Sequence, residues 1–159
     1  RNVNWLTLAM AARLTVTLHE LVGELDLFAD AWLRDRHGVT FNLFEILATL
    51  SERAPIDITG LARCLRVTKA AVSKRVPALV ADGWLRTTAG EGRRILLELT
   101  PKGVELVRVA GGELEAEFAQ MLADPRLDPV SSGTGITPAA LNAHLSALTD
   151  IVLAKGRTP

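Results

Sequence analysis

The chain is 159 residues long, 48% hydrophobic and electrically balanced, with 18 Lys+Arg against 18 Asp+Glu, enough for one domain core plus an association arm. No apolar run reaches the roughly 18 residues that a bilayer crossing needs, and the start lacks the charged region and small-residue cleavage pattern of a secretory signal, so the expectation is a cytoplasmic protein with no membrane partner. A lone cysteine, Cys64, excludes an internal disulfide and fits a reducing compartment.

The first predicted element is a proline-free helix from Trp5 to about Asp35. Met10, Leu14, Leu18, Leu21, Leu25, Phe28 and Trp32 follow one another at spacings of 4, 4, 3, 4, 3 and 4, close to a heptad seam that a partner helix can cover. Val22, Ala29 and Leu33 widen this apolar face, and Gly23 is a place for a kink or a break. Packing inside one subunit accounts for part of the face, but a chain of this size has few places to hide all of it, so the rest points to a homodimer.

His37-Gly38 ends this arm. Thr40 reads as the N-cap of a helix Phe41 to Arg53, with Phe44, Leu47, Ala48 and Leu50 facing inward and Ala54-Pro55 stopping it. Ile56-Asp57-Ile58 fits a small strand pairing with a wing base, after which Thr59 is expected to cap the next helix. Apolar residues at Leu61, Leu65, Val67, Val72, Val76 and Leu79 then predict a helix, a tight turn and a second helix. Within the first of these, Cys64 reads as a buried packing thiol rather than an exposed redox sensor.

Gly83 to Thr100 reads as strand, glycine-rich turn, strand. Thr100-Pro101 opens a further helix with proline at its first position, in which Gly103 is tolerated and Val104, Leu106, Val107, Leu114, Phe118 and Leu122 continue the pattern toward Ala123. Asp124 to Gly135 holds two prolines, two glycines and two serines and reads as a connection. Thr137-Pro138 starts a last helix with Leu141, Leu145, Leu148 and Val152 on one face. The expected architecture is mostly α with a small β wing: a winged helix-turn-helix domain over 37–123, with 1–36 and 124–159 forming a helical dimerisation region.

Charge is segregated along this plan. Between Leu61 and Arg94 lie eight cations (Arg63, Arg66, Lys69, Lys74, Arg75, Arg86, Arg93, Arg94) against two acids (Asp82, Glu91), a local +6 that the remainder of the chain must balance. Such segregation puts a positive face where phosphates would lie, whereas an ordinary solvated face intersperses the signs.

The pattern Leu61-Ala62-x-x-Leu65-x-Val67-Thr68-x-x-x-Val72-Ser73-x-x-Val76-x-x-Leu79, followed by Asp82-Gly83-Trp84-Leu85, Glu91-Gly92-Arg93-Arg94 and Leu99-Thr100-x-x-Gly103, resembles the MarR family of winged-helix transcriptional regulators over roughly Phe41 to Leu122. The family's wing carries Asp-x-Arg; Glu91-Gly92-Arg93 occupies that place here. The resemblance therefore implies Arg93 as a minor-groove arginine, where narrow grooves concentrate negative potential. It implies Thr68, Lys69, Ala70, Ser73, Lys74, Arg75 and Arg94 as the other DNA-binding residues. Lys74 can donate to guanine, Ser73 to a base or phosphate, and Ala70 can touch a thymine methyl; Lys69 and Arg75 serve equally well as phosphate clamps. Pro77 departs from a regular recognition helix, because it deletes a backbone hydrogen bond and crowds the preceding turn at about 3 kcal/mol.

The resemblance further implies an effector cleft for a small aromatic or phenolic acid, with Phe28, Trp32 and Phe44 lining it and Arg36 or His37 meeting the anion; core packing of these aromatics is the competing account. His19, His37 and His144 are far apart and without ligand spacing, so no metal is expected. No nucleophile set or phosphate-cradling glycine motif appears, so neither catalysis nor a cofactor is expected. The leading reading is a homodimeric, ligand-responsive repressor, or else an activator, on a pseudo-palindromic double-stranded operator. The alternative is a protein-interaction module on a winged-helix scaffold that no longer reads DNA, which Pro77 and the neutral total charge favour.

Overall fold

The computed structural model describes residues 5–92, 94–127 and 137–156, leaving out the side chains of residues 5–12 and of Pro125. Its elements are α1 (Trp5–His37), α2 (Phe41–Arg53), β1 (Ile56–Asp57), α3 (Ile58–Cys64), α4 (Lys69–Ala81), β2 (Leu85–Ala89), β3 (Ile95–Leu99), α5 (Pro101–Leu122), a short 3-10 turn (Pro125–Leu127) and α6 (Pro138–Gly156). The three strands form one antiparallel sheet in the order β1-β3-β2. This is the winged-helix plan expected from the sequence, with β1 on the base of the wing. The described residues group into two compact units, Arg1–Leu114 and Glu115–Pro159.

Local chemistry explains most boundaries. The Thr40 hydroxyl accepts from the Leu43 amide at 3.1 Å and caps α2. Asp30, on α1, accepts from the Phe41 amide at 2.8 Å. Two of the four amides that a helix start leaves without partners are thus satisfied, one of them from a neighbouring helix. Thr137 likewise caps α6 through the Ala140 amide, at 3.1 Å. Helix α1 runs unbroken through Gly23 as one helix of 33 residues.

The start of α3 differs from expectation. Its N-cap is Asp57, whose carboxylate accepts from the Gly60 amide at 2.7 Å, and Ile58 and Thr59 are already inside the helix. Asp57 is pinned by its pairing with Leu96 in the sheet, so a carboxylate, a strong acceptor for an amide, is held at the helix entrance two residues ahead of Thr59. A Cβ on Gly60 would fall 2.6 Å from the Ile56 side chain, which is why glycine occupies that turn.

Unit Arg1–Leu114 holds two hydrophobic clusters. One joins Ile46 and Leu50 of α2, Leu61 and Ala62 of α3, Val72 and Val76 of α4, Leu85 of β2 and Leu97 of β3. The other joins Trp32 and Leu33 of α1 with Val39 and Ala110, flanked by Phe41, Phe44, Trp84 and Leu106. Leu33, Leu47, Leu50, Leu61, Leu85 and Leu97 are fully buried, each contributing about 1.5–3 kcal/mol by leaving water. Helices α3 and α4 are therefore fastened to α2 and the sheet. Among the described residues, no helix is long and apolar enough to cross a membrane.

Gly103 is required rather than tolerated. It is buried in the first turn of α5, and a Cβ there would lie 2.4 Å from the Trp84 carbonyl oxygen. The same corner is tied by the Thr100 hydroxyl, which donates to the Gly83 carbonyl at 2.6 Å and accepts from the Gly103 amide at 3.3 Å. Lys102 donates to the Asp82 carbonyl and lies 3.8 Å above the Trp84 ring.

Candidate nucleic-acid interface

Helix α4 begins where Thr68 accepts from the Ala71 amide at 3.2 Å, so this hydroxyl oxygen is engaged in capping. Lys69, Ala70, Ser73 and Lys74 are all exposed and, at positions i, i+1, i+4 and i+5, share one face of the first two turns. Val72 and Val76 hold another face in the core. No acid lies in the first turn, so the partial positive charge of the helix start is left uncancelled there. This face offers two ammonium groups, a hydroxyl and a methyl, the groups that can meet phosphates and base edges.

Arg75 belongs elsewhere. Its guanidinium donates to the Asn42 side-chain oxygen on α2, a bond that ties the back of α4 to its neighbour. Asn42 lies 33 residues away and no local pattern in the sequence marks it. Pro77 sits inside α4 and is exposed, and the helix continues through it to Ala81. Beyond Pro77 the exposed residues Ala78, Val80 and Ala81 carry no charge, so the cationic part of α4 ends before the proline.

On the wing, Arg86 stands opposite Glu98 in the register and donates to it at 2.8 and 3.0 Å. That pair neutralises one of the cations in the basic segment. The wing turn is closed by the Gly90 amide on the Arg94 carbonyl at 2.9 Å, with Gly92 at φ +67°, a left-handed conformation that glycine adopts without strain. Arg94 is exposed. Arg93, the expected minor-groove arginine, lies outside the described residues.

Cys64 is exposed rather than buried. The packing face of α3 is made by Leu61 and Ala62 with Leu65 beyond them, and Cys64, three residues after Leu61 and at the last helical position, falls off that face.

Of the expected effector residues, Arg36 and His37 meet the Trp32 ring and Phe44 packs on its cluster. Trp32 is buried, the Arg36 guanidinium lies 4.8 Å from its centroid, and the His37 ring is tilted at 5.4 Å. His37 Nε2 lies 3.0 Å from Glu113 Oε2 on α5. Phe44 is half-buried against the same cluster, whereas Phe28 is more open, at 36% exposure. Trp32 Nε1 is buried with no hydrogen-bond partner among the described residues, a condition that costs about 1–3 kcal/mol. Among the described residues no three His, Cys, Asp or Glu side chains are grouped to hold a metal ion.

Residues 37–95 match the model of the MarR family. The fold is shared with solved structures along nearly the whole chain. The MarR family transcriptional regulator AbsC of Streptomyces coelicolor is 21% identical with a TM-score of 0.71, covering 99% of both chains. The transcriptional regulator BldR of Sulfolobus solfataricus is 23% identical at a TM-score of 0.71, covering 92% of this chain and 97% of its own. Streptococcus pneumoniae FabT, solved in complex with DNA, is 15% identical at a TM-score of 0.68, covering 92% and 97%. No curated protein sequence matches the chain.

Proposed function

We propose that this chain, a MarR-family winged helix over residues 37–95, is a DNA-binding transcriptional regulator: a homodimeric repressor that acts in the cytoplasm on a pseudo-palindromic operator and is released by a small aromatic or phenolic acid. The observation that carries the DNA reading is the face of Lys69, Ala70, Ser73 and Lys74, exposed on an acid-free helix start. Arg94, exposed on the wing, extends the cationic surface, and Arg93 is the residue this reading assigns to the minor groove. A FabT-like fold solved with DNA supports the same reading. The effector reading draws on Trp32, whose buried Nε1 has no acceptor: a carboxylate or phenolate seated near Arg36 and His37 would supply one. Phe28 and Phe44 are the further lining residues in this reading.

The test is binding of the full chain to duplex DNA over a salt series. Each phosphate neutralised contributes about −0.9 to the slope of log K against log salt, so a groove-bound dimer gives a steep slope, and selection from random sequence returns a two-fold symmetric consensus. A flat slope would instead favour the interaction-module reading. That second reading has its own observation, the uncharged exposed stretch Pro77, Ala78, Val80 and Ala81 on α4.

A further inference from the structure

The turn between α3 and α4 carries the one described non-glycine residue with a left-handed backbone, Arg66, at φ 55°. The turn is closed around it by the Val67 amide on the Ala62 carbonyl at 3.0 Å and the Arg66 amide on the Arg63 carbonyl at 3.3 Å. This is the helix-ending arrangement in which glycine is the usual occupant, because a Cβ in that conformation meets the backbone. An arginine there is a local conflict between backbone and side chain, and such conflicts concentrate where the side chain has a task.

Some arginines of the described residues have a partner there for the guanidinium: Arg34 has Asp30, Arg86 has Glu98, Arg108 has Glu105 and Arg126 has Asp124, whereas Arg13, Arg53 and Arg94, like Arg66, have none. For Arg66, and for Arg63 beside it, no side-chain hydrogen bond or ion pair is present among the described residues, and both are exposed. Arg66 also stands two residues ahead of the Thr68 cap, at the end of α4 that bears Lys69 and Lys74.

We propose that Arg66 binds a backbone phosphate at the edge of the groove that α4 enters, and that its charge is what keeps an arginine in a glycine conformation. The inference rests on the DNA-binding reading above. A phosphate contact positions the reader without selecting sequence, so its signature is electrostatic.

The test compares the full-length wild type with Arg66→Gly, Arg66→Asn and Arg66→Lys on a random-sequence duplex across a salt series, with thermal unfolding of each. Arg66→Gly and Arg66→Asn should lower the magnitude of the salt slope by about one unit. Arg66→Lys should keep it. Arg66→Gly should melt about 2–4 °C higher, since the strain is gone. A slope unchanged in Arg66→Gly and Arg66→Asn would overturn the phosphate contact, as would an equal loss in Arg66→Lys. A wild type with no salt-dependent binding would instead overturn the DNA-binding reading on which the contact depends.

Discussion

Gly103 and Asp30 show how single residues fix the geometry of the winged helix. At Gly103 a methyl group would meet the Trp84 carbonyl oxygen at 2.4 Å, and a backbone oxygen held by the wing base cannot turn aside as a side chain would. Gly103→Ala should therefore cost at least about 2 kcal/mol in urea unfolding. Gly112, in the same helix, has nothing within 4 Å of its missing Cβ, so Gly112→Ala should stabilise by about 0.5–1 kcal/mol; equal effects of the two changes would refute the close-approach account. At Asp30, the Arg34 guanidinium and then the Phe41 amide hold the carboxyl below its ordinary 3.8. A carboxylate with a lowered folded-state pKa stabilises fully above its unfolded value and loses that contribution as pH falls through the folded one. The stability advantage of wild type over Asp30→Asn should thus be present at neutral pH and shrink below about pH 3.8, and an advantage independent of pH would show that Asp30 acts by shape alone.

Among the elements, α4 accommodates a proline inside the helix proposed to read DNA. Pro77 removes the hydrogen bond to the Ser73 carbonyl, yet the helix extends to Ala81 because Val76 and the half-buried Leu79 keep its far half on the core. Pro77→Ala should raise stability by about 1–3 kcal/mol, the restored bond being partly offset by a freer unfolded chain. Base preference should be unchanged, because the residues proposed to read DNA, Lys69, Ala70, Ser73 and Lys74, precede the proline. Operator selection with the variant checks this: an altered consensus would mean that Pro77 sets how deeply those residues enter the proposed groove. The sequence made α4, the wing and the openings at Thr40, Thr100 and Thr137 legible, because caps, periodicity and turn glycines act within a few residues. It did not reveal the Asp57 cap, the Asn42–Arg75 bond or the crowding at Gly103. Those depend on what the sheet and neighbouring helices bring alongside, as does the exposure of Cys64 at the end of α3.

At the scale of the molecule, the residues that no core covers make the case for a second copy. Along one face of α1, Leu14, Leu21 and Val22 are each more than half exposed, at 55%, 52% and 55%. On α6 no residue is buried, and Leu141, Leu145, Leu148 and Val152 are open. Single exposed leucines are ordinary, but a stripe of them along a long helix marks an association surface. Burying a fully exposed leucine is worth about 1.5–3 kcal/mol and these side chains are already partly covered, so each contributes roughly half of that on association, and the set on two copies together is of the size of the 4–15 kcal/mol that association costs. The proposed dimer would also give each winged helix a partner at a fixed spacing, which is what a symmetric operator requires. The combined change Leu21→Asp and Leu25→Asp should dissociate the dimer in light scattering while leaving the helical circular dichroism of the reader, whose core begins at Ala29 and Trp32, largely intact. Random-duplex binding should persist at lower affinity, whereas preference for paired half-sites should disappear. A variant that stays dimeric with both aspartates in place would show that the α1 seam packs within one subunit, and the half-site spacing would then have to be set by another surface.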